Sequence, residues 1–385
     1  MKRRKENAVK IVILTNTDHY DSRAKLIYDQ LCENNEVTVF STDFVHAKKI
    51  HRAESAYPEF ILFPTKAYKK NLSVGRLLSH WDYPKRAFRE VEKYSPDLIY
   101  VMLPSNSNVY RAVKYQKKHP RTRLVFDIID MWPESFPIAK LSWIPLFKIW
   151  RDLRDKNICK AELVVSECGL YFDILGKKLD STPKKVLYFA KPRTSTDKTP
   201  NLPVDEINLC YLGAANNIID IPFIAAAIKE IASRKKTNLH IIGKGERMQE
   251  FIDAATQAGA AVIDHGVIYD TDEKQKIFNI CHFGINAMRD TVCVGLTMKS
   301  VDYFDAGLPL LNNIKGDTTR FVEQYGAGFN LNYENMSAVA EKISTLSEKD
   351  FTEMRSAALK VFNENLSQEV FNSTLSEIKQ TLEIK

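Results

Sequence analysis

An α/β protein of two Rossmann-like halves, each built on a parallel sheet, is predicted by three observations. Short continuous apolar runs alternate with helical patterns along most of the chain, as βαβ units require. The rhythm stops at Lys191–Glu206, which holds three prolines among Ser, Thr and Asp and has no apolar period. It then restarts in the same form. At about 150 residues per domain, 385 residues suit two domains. The boundaries read as 1–195 for the first, 196–206 for a linker and 207–366 for the second. A helix over 367–385 is expected to cross back to the first.

In the first half Val9–Asn16 is β-branched and short, a strand buried on both faces. A helical pattern follows over Ser22–Glu33, then a second strand, Glu36–Thr42. Asp97–Leu103, Arg123–Ile129, Glu162–Glu167 and Lys185–Ala190 read as further strands with helices between. In the second half Ile207–Ala214 is a strand and Ile221–Lys235 a helix with one apolar stripe. Strands follow at Thr237–Gly243, Ala260–Gly266, His282–Met288 and Leu308–Asn313. Helices centre on Met248–Ala258, Asp272–Cys281 and Lys299–Ala306. Ligands of such sheets bind beyond the carboxyl ends of the strands, so the active site is expected in a cleft between the halves.

A hydrophobic fraction of 44% with 27% charged residues excludes disordered and low-complexity classes. No run reaches the 18 apolar residues of a membrane span, and the basic start MKRRKENAVKIVILTN lacks a signal-like apolar core. A cytoplasmic protein is expected. Cys32, Cys159, Cys168, Cys210, Cys281 and Cys293 stand singly and read as reduced thiols, with no metal site. The net charge of +7 gathers in the first half: Lys2–Lys5, Lys66, Lys69, Lys70, Arg76, Lys85, Arg86, Arg89, Lys148, Arg151 and Arg154. Such a face attracts polyphosphates or anionic membrane, or is simply a solvated helix surface. Lys66–Tyr94, with Leu77, Leu78, Trp81 and Phe88, and Pro137–Arg154, with Trp143, Phe147 and Trp150, mix cations with aromatics. That pattern suits peripheral attachment to the inner membrane face; core-facing aromatics explain it as well. No nucleic-acid motif accompanies the charge.

The first strand is followed by Asn16, Thr17, Asp18, His19 and Tyr20, not GxGxxG, which disfavours a dinucleotide dehydrogenase. GxxxxGK[ST], GxSxG and HExxH are absent as well. The informative stretch is Gly295–Asn313: a loop with Gly, a helix, a Gly-x-Pro turn and a buried strand. A helix N-terminus there offers N–H groups and partial positive charge to a phosphate. Lys299 adds a cation, and Asp302, one turn on, faces the same side and suits two sugar hydroxyls. Asp127, Asp130 and Glu134 are acids at a strand's carboxyl end, and one of them is a candidate general base. Read blandly, Trp132-Pro133 is only a helix start and Lys299–Asp302 a surface pair.

Lys299, Asp302, Tyr303, Gly307 and Pro309 fall on a spacing that resembles the nucleotide-sugar signature of B-fold glycosyltransferases, especially the retaining family 4. Asp127–Ser135 is similar to the Asp-x-x-Asp-x-Trp-Pro-Glu motif of its bacterial surface-polysaccharide members. Asp21–Leu26 resembles its Asp-x-Arg helix opening. Ile241–Phe251 resembles its strand–Gly-x-Gly–helix, and Lys315–Leu331 the short helix and Gly-rich turn after the Pro. The resemblance implies a nucleotide sugar as donor and a glycan or lipid-pyrophosphate-linked glycan as acceptor, with no cofactor and no metal. It implies donor contacts from Gly213, Gly243, Gly245, Arg247, Lys299 and Asp302, and an acceptor side of Asp21, Arg23 and Trp132. Three departures stand out. Val294 replaces the first glutamate of the signature, Ile129 stands where His is frequent, and Gly213–Ile221 lacks the Arg and Lys that clamp the diphosphate. They keep open a non-catalytic subunit of the same fold; a sugar-nucleotide epimerase is a further alternative.

Overall fold

The computed structural model describes residues 8–70, 73–135, 145–194 and 196–384. The chain forms two compact units, one of residues 1–188 with 372–385 and one of residues 189–371.

The first unit carries β1 (Lys10–Leu14), α1 (Asp21–Leu31), β2 (Glu36–Thr42), a small antiparallel pair β3 (Phe44–Val45) and β4 (Ile50–His51), and β5 (Phe60–Phe63). It continues with α2 (Val74–Tyr94), β6 (Leu98–Leu103), α3 (Asn106–Lys118), β7 (Arg123–Ile128), α4 (Pro145–Asp155), β8 (Leu163–Ser166), α5 (Gly169–Leu175) and β9 (Lys184–Val186). Seven strands make one sheet in the order β5-β2-β1-β6-β7-β8-β9, and every pair is parallel. The all-apolar sequence of β6 follows from this position: all six of its side chains are buried. Burying each such side chain contributes about 1.5–3 kcal/mol. The order reverses between β1 and β6, the point where open α/β sheets bind ligands.

The second unit carries β10 (Glu206–Leu212), α6 (Ile221–Ala232), β11 (Lys236–Ile242), α7 (Met248–Gln257), β12 (Ala260–Asp264), α8 (Thr271–Ile280) and β13 (Phe283–Asn286). It continues with α9 (Met298–Asp305), β14 (Leu310–Asn312), α10 (Asp317–Tyr325), β15 (Gly328–Asn330), α11 (Met336–Ser344) and α12 (Glu348–Val361). The last helix, α13 (Gln368–Thr381), starts in this unit and ends in the first. Six parallel strands lie in the order β12-β11-β10-β13-β14-β15, with Leu209 opposite Phe283. Here the order reverses between β10 and β13.

Several expected bounds shift. The strand expected to run to Ala190 ends at Val186, because the carbonyls of Leu187 and Tyr188 turn onto the Arg23 guanidinium. Strands β5 and β15 and helices α11 and α12 were not assigned from sequence. The Pro-rich segment is docked rather than loose. Lys198 binds Asp305 at 2.9 Å, Thr194 reaches the same carboxylate at 3.3 Å, and Asn201 N–H donates to Asn279 O. Two of the basic positions do not face solvent, since Arg76 and Arg154 are both buried. Lys2–Lys5 and Trp143 lie outside the described residues.

Candidate functional site

In the second unit, residues from both sides of the switch point converge on the start of α9. Thr297 caps the helix: its hydroxyl accepts from Ser300 N–H at 3.1 Å, and Ser300 Oγ accepts from Thr297 N–H at 3.1 Å. The Thr297 hydroxyl also donates to Asn286 Oδ1 at 2.9 Å, at the end of β13. Asn286 leads into a ladder of amides across three strands, Asn286–Asn312 at 3.0 Å and Asn312–Asn330 at 2.8 Å, each pair in register. The ladder fixes where α9 begins. One turn on, the Tyr303 hydroxyl donates to Cys210 O at 3.2 Å and accepts from Leu212 N–H at 2.6 Å, pinning the helix to the end of β10. The Tyr303 ring lies flat on Gly284, where a Cβ would meet it at 2.8 Å.

Lys299 sits in the first turn of α9. Its stem is partly exposed, but its ammonium is shielded from solvent and, among the described residues, has no hydrogen-bond partner. It lies 4.2 Å above the Tyr211 ring and beside Gly213. Burial lowers its pKa from 10.5 to about 7. A buried cation with no partner, at a helix N-terminus on a sheet's switch point, is prepared for an anion.

The glycines of this region act through close approach. A Cβ on Gly243 would stand 2.0 Å from Gly213 O, and one on Gly245 would stand 2.1 Å from Ala215 O. The loops after β10 and β11 therefore pack backbone to backbone and form one floor. Arg247 is turned away from a phosphate role: its guanidinium forks onto Glu250 (Nε to Oε2 2.7 Å). Asp302 is held by Lys191, whose ammonium donates to Oδ1.

In the first unit the predicted residues come together but mostly satisfy one another. Arg23 and Asp127 are 1% and 0% exposed and form a two-pronged pair, Nε–Oδ2 2.9 Å and Nη2–Oδ1 3.0 Å. Tyr100 donates to Asp127 Oδ2 at 2.9 Å as well, so this carboxylate is enclosed. Asp21 accepts from Ser41 at 2.6 Å and from Arg52 at 2.6 Å, and burial raises its pKa. Glu134 is forked by Arg154 at 3.1 and 2.9 Å. Trp132 is buried against the His80 and Trp150 rings, and its carbonyl accepts from Asn106 Nδ2.

What remains available is Asp130, with a neighbour that sequence reading passed over. Asp130 follows β7, and burial raises its pKa despite a bond from Ser135. Glu167 follows β8, is buried, and leaves Oε2 with no partner among the described residues; burial holds its carboxyl well above the usual range. Both acids act on Tyr20, which follows β1, together with Arg76 and Arg23, so the five groups share one neighbourhood at the carboxyl edge of the sheet. The only sequence signal for Glu167 was an acid closing an apolar strand. Among the described residues, no three His, Cys, Asp or Glu side chains are grouped to hold a metal ion.

Residues 206–349 match the model of a family described as Glycosyl transferases group 1. The matched segment spans the second sheet, both loops of its switch point and α9. Solved structures extend the likeness to the whole chain and show that the fold is the glycosyltransferase B fold. Anabaena HepE in complex with UDP and glucose has a TM-score of 0.64 at 13% identity, covering 97% of this chain and 100% of that one. Sucrose-phosphate synthase from Thermosynechococcus elongatus gives 0.68 at 10% identity, covering 97% and 99%. The lipopolysaccharide outer core galactosyltransferase WaaB gives 0.56 at 13%, covering 91% and 99%. No curated protein matches the chain by sequence.

Proposed function

We propose that the protein transfers a sugar from a nucleotide-sugar donor, held by the group 1 segment, to a glycan or lipid-linked glycan acceptor of surface-polysaccharide synthesis, with retention. The observation that carries this reading is the shielded ammonium of Lys299 at the start of α9, which among the described residues has no hydrogen-bond partner. Departure of a nucleoside diphosphate needs its developing charge neutralised, and a fixed cation in a shielded place does this at little reorganisation cost. The group 1 match over the same residues and the UDP and glucose bound to HepE support it. Retention is favoured by the resemblance to the retaining family 4; of the three candidate bases Asp127 and Glu134 are committed to arginines, and inversion would have to use Asp130.

The first unit is assigned to the acceptor, with Asp130 and Glu167 as its polar groups. The same unit supplies the attachment face. One stripe of α2 exposes Val74, Leu78 and Trp81 and then Lys85 and Arg89. The α2–α3 groove is lined by Lys85, Arg89, Arg111, Lys114 and Lys118, with Glu92 as its one acid. Apolar residues running into cations suit an anionic bilayer surface.

Titration with UDP, ADP and GDP, followed by turnover with the sugar nucleotide of whichever base binds, tests the transferase. Binding of one diphosphate with acceptor-dependent release of it is the expected result. Binding without any transfer or release would favour the non-catalytic subunit, for which Val294 is the specific evidence. No binding at all would remove the donor site. Co-sedimentation with vesicles of phosphatidylglycerol, but not of phosphatidylcholine alone, is expected for the attachment face.

A further inference from the structure

We propose that Lys191 is the second cation of the diphosphate site, supplied by the segment that enters the second unit in place of the clamp missing from the loop after β10. The inference rests on the donor reading above.

The charge balance poses the problem. A nucleoside diphosphate carries two to three negative charges, and Ala214–Asp220 offers no Lys or Arg. Arg247 is engaged by Glu250, and Lys244 is exposed on the loop of the next strand. That leaves Lys299 at the N-terminus of α9 and Arg289, exposed on the loop after β13, whose N–H donates to Ile218 O at 2.9 Å and whose charge acts on Glu250. Lys191 is a further cation that the structure places on this helix: its ammonium sits on Asp302 Oδ1, one turn from Lys299 on the same face.

Its backbone is held, and its side chain is partly open to solvent. Lys191 N–H donates to Leu366 O at 3.3 Å, and its carbonyl accepts from Gln368 N–H at 3.0 Å. The side chain is 31% exposed, so the ammonium has room to move. A helical turn rises 5.4 Å, which is within the swing of a lysine side chain about its Cα. Ribose hydroxyls engaging Asp302 compete for the oxygens that Lys191 occupies, and the displaced ammonium then meets the phosphates beside Lys299. The segment need not undock, because Lys198 and Thr194 hold Asp305 independently.

The test compares the wild type with Lys191→Met, Lys191→Arg and Lys198→Met, all shown to melt cooperatively. Dissociation constants are measured for UDP, ADP and GDP by calorimetry and for the matching nucleosides by ligand-observed NMR. For the diphosphate that binds, Lys191→Met is expected to weaken binding at least tenfold while leaving its nucleoside bound as tightly as by wild type or more tightly, because the ribose no longer has to displace Lys191 from Asp302. Lys191→Arg should keep most of the affinity, and Lys198→Met should stay within twofold of wild type. Equal losses for diphosphate and nucleoside, or a diphosphate bound as tightly or more tightly by Lys191→Met, would overturn the proposal and leave Lys191 as a brace for Asp302. If the wild type binds none of the three diphosphates, the donor reading itself falls, and that outcome is distinct from the other two.

Discussion

The carboxyl edges of the two sheets treat charge in opposite ways. In the first unit Arg23, Asp127, Asp21, Arg52, Glu134 and Arg154 are paired with one another, several with two bonds each. In the second, the Lys299 ammonium is shielded and, among the described residues, has no hydrogen-bond partner and no carboxylate against it. A buried charge that is already satisfied is a brace; one left without a partner awaits something outside the chain. The comparison separates residues that share a motif from residues that share a job. It moves attention in the first unit from Asp127 and Glu134 to Asp130 and Glu167.

The contrast is broken most severely by cutting a brace. Arg23→Met leaves Asp127 buried without its cation and should lower the unfolding free energy by about 3–5 kcal/mol in urea titrations. A loss below about 1 kcal/mol would show that the pair is no brace. Lys299→Met is the mirror experiment. The folded pKa of Lys299 lies below its unfolded value, so ionised Lys299 costs stability at every pH where the unfolded chain is still protonated. The variant should therefore melt no lower than wild type while losing roughly 100-fold or more in diphosphate affinity. A lower melting point with unchanged affinity would reverse its role.

A phosphate partner raises the pKa of Lys299 again, so binding takes up a proton above pH 7. Diphosphate affinity should fall by up to tenfold per pH unit from about pH 7 towards the bound-state pKa, and Lys299→Met should abolish that slope. Calorimetry in buffers of different ionisation heat checks both.

The mildest change is Glu167→Gln. The Glu167 pKa is raised in the fold, so wild-type stability falls as pH rises above the unfolded value of 4.5. Glutamine removes that decline. The two proteins should be nearly equal at pH 4.5 and diverge in favour of the variant towards pH 8. Parallel curves would mean that Glu167 is not protonated in the fold.

Much of the fold was legible because a doubly covered parallel strand tends to be apolar along its whole length, as β6 is. The start of α9 was legible because Lys299, Asp302, Tyr303 and the Gly-x-Pro turn lie within eleven residues. What escaped depends on residues far apart in sequence. Arg23 and Asp127 are separated by 104 positions, and nothing local says that they consume each other. Asn286, Asn312 and Asn330 become a ladder only once three strands are in register. Arg154 reads as one more cation until Glu134 and Asp155 close around it. Short edge elements such as β5 and β15 carry too few residues to show a period.

The contact between Lys191 and Ser367 has an evolutionary consequence. A parallel bridge joins these residues, so the chain enters and leaves the second unit at one spot. A stretch of chain whose ends coincide is an insertion: it can be exchanged for a relative with different donor chemistry while both stubs of its host stay where they are. Residues 189–371 are thus a natural cassette, and chimaeras cut at that bridge are where recombination, in nature or at the bench, should leave both partners folded.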